Sequence, residues 1–194
     1  MLRVWISESR CATCLARLAV AQTLDTCPTT VRVRRDPSGR PLLPAHPGLH
    51  LSLAHTEKVA AVALSTLGPV GIDVELRREL PAAELAARWF DAREAGWVRE
   101  RPQDFLPLWT QKEAVGKALG TGLRGGGLRR EMPLPPPSDG AALTALVPGT
   151  SAIALYGTAL TGSDGGELVL AVACAAANVL GAQVDLDTAD LDPR

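Results

Sequence analysis

The chain has 194 residues, 46% apolar and 21% charged, a globular composition that excludes wholesale disorder and suits one sizeable domain or two small halves sharing a core. Its 20 basic and 21 acidic residues leave a net charge of -1, which argues against nucleic acid as a partner and requires any basic site to be local. The apolar start, Met1 to Ile6, is cut off by Glu8 and Arg10 too early for a signal peptide, and Leu168 to Ala177 is about half a bilayer span, so no membrane segment and a soluble, cytoplasmic chain are expected.

In chain order, Leu2 to Ser7 alternates and is rich in branched and aromatic residues, which predicts a strand. Cys11, Leu15, Leu18, Ala19 and Leu24 recur at helical spacing. Cys11 and Cys14 form a C-x-x-C, compatible with half a zinc site or a redox pair, but with no matching second pair it reads first as two reduced, partly buried thiols on one helix face. Val31 and Val33 alternate with polar residues and predict a strand over Thr29 to Arg34, followed by the turn Asp36-Pro37-Ser38-Gly39. Three more strands follow over His50 to Leu53, Val59 to Leu64 and Val70 to Leu76. The character then turns helical. Pro81 to Phe90 opens with Pro at a first helical position, Asp91 to Arg99 makes a second helix, and Pro107 to Leu119 a third, ended by Gly120. Five glycines within Gly120 to Gly127 require a loop, and Pro133, Pro135, Pro136, Pro137 and Gly140 mark an exposed arm. Ala152 to Leu160 and Glu167 to Ala175 read as a hairpin, and the acidic tail from Asp185 reads as frayed. The fold class is α+β, with an N-terminal half over 1–67, a C-terminal half over 68–177 and a tail over 178–194.

Four clusters bear chemistry. In Gly71-Ile72-Asp73-Val74-Glu75, alternation puts Asp73 and Glu75 on one strand face, about 7 Å apart. Such carboxylates repel unless a cation joins them, and a hard ion such as Mg²⁺ suits them; a solvated acidic face is the plain alternative. In Trp109 to Gly120, residues Trp109, Glu113 and Lys117 share a helix face. Two of the chain's three lysines, Lys112 and Lys117, fall there, and a lysine is a compact charge for a phosphate. The alternative is an ordinary Glu-Lys surface pair. His55 in Leu51-Ser52-Leu53-Ala54-His55-Thr56 and Arg40 in Ser38-Gly39-Arg40-Pro41 are each compatible with a structural or a ligand role.

Taken in order, the G-R-P turn, S-x-A-H-T, G-I-D-V-E and W-T-Q-K-E-A-V-G-K-A-L-G-T-G-L resemble the signature of the 4'-phosphopantetheinyl transferases of the Sfp type, and Trp89 to Trp97 is similar to that family's F-x-x-x-E segment. The resemblance covers residues 36 to 123. It implies two similar α+β halves about a pseudo-twofold axis, with the active site in the cleft between them, in a monomer rather than the shorter trimeric type. It implies Mg²⁺-dependent transfer of 4'-phosphopantetheine from coenzyme A to a serine of an acyl or peptidyl carrier protein. Residue by residue, it implies that Asp73, Glu75 and Glu113 hold the metal. Glu113 and Lys117 serve catalysis, and Arg40, His55, Lys112 and Lys117 contact coenzyme A. Where the family has a serine before the histidine, this chain has Ala54, and Arg17 is the candidate for a basic residue expected before Arg40. The acidic helical carriers imply a basic or apolar rim, for which the segment from Arg88 to Leu108 and residues Arg124, Arg129 and Arg130 are candidates. Three rivals stand beside this reading: an inactive relative that binds coenzyme A or a carrier, a metal-dependent phosphodiesterase using the same acids, and a non-enzymatic scaffold.

Overall fold

The alternating segments assemble into two four-stranded sheets in a computed structural model of the chain, which describes residues 1–124, 126–135, 143–150, 153–175 and 185–187. The elements run β1 (Leu2–Ser7), α1 (Ala12–Leu24), a small ribbon of β2 (Arg34–Arg35) and β3 (Pro41–Leu42), β4 (His50–His55), β5 (Ala60–Ser65) and β6 (Val70–Leu76). Then come α2 (Ala82–Trp89), α3 (Ala92–Glu100), α4 (Phe105–Leu119), β7 (Leu143–Leu146), β8 (Ile153–Thr161), β9 (Glu167–Ala175) and β10 (Asp185–Asp187). The first sheet has the order β10-β1-β5-β4 and the second β6-β9-β8-β7. In both, the opening strand pairs antiparallel with a later strand, which pairs antiparallel with the strand preceding it: β1 with β5 and β5 with β4, then β6 with β9 and β9 with β8.

Period-two alternation decides the layers. Leu2, Val4, Ile6, Ala61 and Ala63 of the first sheet share one buried cluster with Val70, Ile72, Val74, Leu170 and Val172 of the second. The opposite face of the first sheet, with Trp5, Val62 and Leu64, packs under Leu15, Ala19 and Val20 of α1. The opposite face of the second, with Val169, Ala171 and Ala173, packs under Leu108, Ala114, Val115 and Ala118 of α4. Helix, sheet, sheet and helices are stacked, and a mixed α+β architecture results.

Several expectations are revised. The Val31 and Val33 segment is no strand before Arg34. Thr30 N–H donates to the Cys27 carbonyl and Val31 N–H to that of Pro28, so the chain turns there, and Val31 is apolar because it is buried against α1. Helix α4 begins at Phe105, two residues before Pro107, because an N–H in the first helical turn has no intrahelical partner to lose. The tail is not frayed throughout: Asp185, Leu186 and Asp187 pair parallel with Arg3, Val4 and Trp5 of β1. Strand β7 was not foreseen. Of the proline arm, Pro136, Pro137 and Gly140 lie outside the described residues, as does Gly125 of the glycine-rich loop. No helix among the described residues is long and apolar enough to cross a membrane.

Candidate active site

Gly71, Asp73 and Glu75 occupy the face of β6 that turns away from the sheet-sheet core and toward α4. The approach is close. A Cβ at Gly71 would stand 1.9 Å from the Ala114 carbonyl oxygen, so glycine is what lets the helix lie on the strand. With the helix there, Lys117 Nζ donates to Asp73 Oδ1 at 2.8 Å and to the Ile72 carbonyl at 2.9 Å. Glu75 accepts from Arg78 Nη1 at 2.7 Å.

The electrostatics tie the three acids together. Asp73 is buried, and burial first, then the negative charges of Glu113 and Glu75, push its carboxyl up to about 6 against the pull of Lys117. Glu113 is likewise raised, by burial first and then by Glu75, with Lys117 opposing. Three carboxylates thus share one neighbourhood in which Lys117 is the cation paired with Asp73. Among the described residues, no three acidic, histidine or cysteine side chains converge closely enough to form a ready cage for a metal ion.

Two adjoining cavities open beside this group, and both are lined by Arg35, Leu53 and Lys117. One, of 190 Å³, is also lined by Arg40, Ser52, Gly120 and Gly122. The other, of 750 Å³, is lined by residues that include Arg10, His55 and Asp73. Arg40 is presented by an Asp-initiated turn in which Asp36 Oδ1 accepts from Ser38 N–H at 2.8 Å and Arg40 N–H at 3.0 Å, with Gly39 at a φ of 89°. Its guanidinium reaches the C-terminal end of α4: a Cβ on Gly120 would meet Arg40 Nη1 at 3.3 Å. His55 ends β4 opposite Ala60 and is exposed. The strand that carries it is tied to β6, since Ile72 N–H donates to Ser52 Oγ at 3.1 Å. Arg40, His55, Asp73 and Lys117 therefore come to one cleft, with Glu75 and Glu113 alongside.

Lys112 does not join them. It is fully buried and ion-paired with Glu94 at 2.6 Å, its ammonium donates to the Arg130 carbonyl, and it lies 4.8 Å from the Phe90 ring centroid. Glu94 Oε1 also accepts from Met132 N–H at 2.7 Å. Burial pushes Glu94 up to about 7 and Lys112 down, and their direct contact opposes both shifts. The lysine expected at coenzyme A is thus an internal strut that binds the chain after the glycine-rich loop to α3 and α4. Five residues C-terminal on a helix is a large rotation, and this separates Lys112 from Lys117. The expectation missed Arg35 and Arg10, which line the cleft while Arg17 sits on exposed α1 surface. Arg35 could have been sought as the basic residue flanking the turn that carries Arg40.

The family model for the 4'-phosphopantetheinyl transferase superfamily matches residues 69–173. Among named proteins, the chain is 34% identical over 105 residues to 4'-phosphopantetheinyl transferase HetI of Nostoc sp., covering 50% of this chain and 44% of that protein. It is 29% identical over 114 residues to 4'-phosphopantetheinyl transferase gsp of Aneurinibacillus migulanus, covering 56% and 46%. It is 28% identical over 114 residues to a 4'-phosphopantetheinyl transferase of Bacillus subtilis, covering 56% and 50%. The chain spans about half the length of the curated relatives it matches. The family match runs from the start of β6 through α4 into β9, so over half of the chain, including the strand and helix that carry Asp73, Glu75, Glu113 and Lys117, is accounted for by one description: the chain belongs to the 4'-phosphopantetheinyl transferase superfamily.

Proposed function

We propose that this chain transfers 4'-phosphopantetheine from coenzyme A to a serine hydroxyl of an apo acyl or peptidyl carrier protein, releasing 3',5'-ADP, with Mg²⁺ as cofactor. The observation that supports the reading is the contact of β6 with α4, where Lys117 pairs with Asp73, and Glu113 and Glu75 act electrostatically on Asp73, beside a cleft lined by both basic and acidic side chains. The donor set fits Mg²⁺: three carboxylates are the oxygen ligands a hard cation takes, and their mutual repulsion at Asp73 is what a cation would relieve. Asp73, Glu75 and Glu113 would hold it, and when bound it supplies charge neutralisation at the pyrophosphate. Lys117 is a point charge for a phosphate oxygen, Arg40 and Arg35 offer guanidinium donors along the neighbouring cavity, and His55 contacts phosphate from the end of β4. Glu113 takes the proton of the carrier serine as general base. The serine oxygen then bonds to the β-phosphorus as the bond to the 3',5'-ADP oxygen breaks. The matching order of three strands in each sheet, β1-β5-β4 and β6-β9-β8, supports halves related by a pseudo-twofold axis, although the fourth strands lie at opposite edges, and a cytoplasmic monomer completes the reading.

Intact mass of an apo carrier protein after incubation with the chain, coenzyme A and Mg²⁺ tests this. The expected result is a gain of one phosphopantetheine that is lost with chelator and with Asp73→Ala. No gain across several carriers, in a sample that binds coenzyme A, would leave the inactive binding relative as the answer. No gain and no coenzyme A binding would overturn the reading altogether.

A further inference from the structure

Two thiols lie outside the chemistry described above. Cys11 and Cys14, expected to be partly buried, are both exposed. Cys11 is the N-cap of α1, a thirteen-residue helix entered directly from β1 through Glu8, Ser9 and Arg10. Its Sγ accepts from Cys14 N–H at 3.1 Å, and three-residue spacing across the first turn sets the two thiols near one another. A sulfur is an unusual cap, since oxygen side chains serve that position best. What a sulfur gains there is stabilisation of its thiolate by the free N–H groups and positive end of the helix. Nothing on the helix cancels that field: its first turn contains no acidic residue, and Arg17 adds positive charge. The Cys11 thiol is accordingly held below its usual range, first by the Cys14 thiol and then by the Cys14 backbone N–H. Cys14 is raised, first by the Cys11 thiol. Cys11 lines the 750 Å³ cavity, so a small molecule that enters the cleft can reach it.

We propose that Cys11 and Cys14 form a thiol-disulfide exchange pair whose substrates are low-molecular-weight disulfides, with Cys11 as the attacking thiol and Cys14 as the resolving one. The Cys11 thiolate attacks one sulfur of the small disulfide; a Cys11 mixed disulfide forms, the small S–S bond breaks, and one small thiolate leaves, taking up the proton Cys11 gave up. Cys14, deprotonated in turn, attacks Cys11 Sγ; the Cys11-Cys14 bond forms, and the second small thiol departs with the Cys14 proton. The protein has lost two hydrogens and the small disulfide has gained them. This inference stands independently of the transfer reaction.

The experiment uses the full chain carrying Cys27→Ser, which removes the other exposed thiol; Cys174 is buried. The probe is glutathione disulfide without air, and the readouts are intact mass and peptide mapping. The expected product of this parent is lighter by two hydrogens, with Cys11 linked to Cys14. Adding Cys14→Ser should trap one glutathione on Cys11. Adding Cys11→Ser instead should leave Cys14 to react more slowly than Cys11 does in the Cys14→Ser variant, because only position 11 keeps a backbone N–H bond at the helix start that favours a thiolate. A parent that does not react, or that accumulates glutathione without losing two hydrogens, overturns the pair. Equal rates in the two serine variants overturn the assignment of Cys11 as the attacking thiol.

Discussion

Gly71 shows how a single side chain, or its lack, decides the site. A methyl group there would collide with the backbone of α4 at Ala114 and Ala118, neither of which can rotate aside. Gly71→Ala is therefore expected to lower stability by about 1–3 kcal/mol through overpacking and to shift the thermal midpoint down. Lys117 acts at the same contact, where its hydrogen bonds to the Ile72 carbonyl and Asp73 fix its ammonium at the cleft. Lys117→Met keeps the stem and removes the charge; coenzyme A affinity, followed by calorimetry, should weaken roughly 10–100-fold, the range for a lost charged hydrogen bond. Asp73, Glu75, Glu113 and Lys117 were legible as candidates from alternation and helical spacing alone. What spacing cannot report is that Lys117 bonds to Asp73, because that contact joins positions 44 residues apart.

At the level of the element, α4 carries two lysines with opposite fates. Lys117 lies toward β6 and the cleft, while Lys112 is sealed between α3, Phe90 and the chain at Arg130 to Met132. The helix was readable from its periodicity, but which face meets which neighbour was not, since that depends on where α3 and the following loop dock. Removing one partner of a buried ion pair strands the other charge. Lys112→Met should therefore cost about 3–5 kcal/mol in chemical denaturation, and the double variant Lys112→Met with Glu94→Leu should recover most of it. A Lys112→Met variant that unfolds at the parent's denaturant midpoint would contradict the strut role.

Across the whole molecule, two kinds of contact bridge the sheets. Ile72, Val74, Leu170 and Val172 meet Val4, Ile6 and Ala63 in a shared apolar layer. At the rim, Glu8 accepts from Ser163 N–H at 2.7 Å, and Lys58 pairs with Asp164 at 2.5 Å with both side chains about half exposed. The layer should dominate. Ile72→Ala is expected to cost roughly 2–5 kcal/mol, as cavity-forming core substitutions do, whereas Lys58→Ala should leave the unfolding midpoint nearly unchanged because solvent screens an exposed pair. Urea denaturation of both variants measures the contrast.

The strands around Ile72 and Leu170, the helix at Glu113 and the turn before Arg40 follow from local chemistry: alternation, helical period and turn residues act over a few neighbours, and those neighbours are written side by side in the chain. The parallel docking of Asp185 to Asp187 on β1, the internal burial of Lys112, the entry of Arg35 into the cleft and the exposure of Cys11 and Cys14 belong to tertiary structure. Each is settled by which surfaces exclude water from one another, and those surfaces come from segments tens of residues apart.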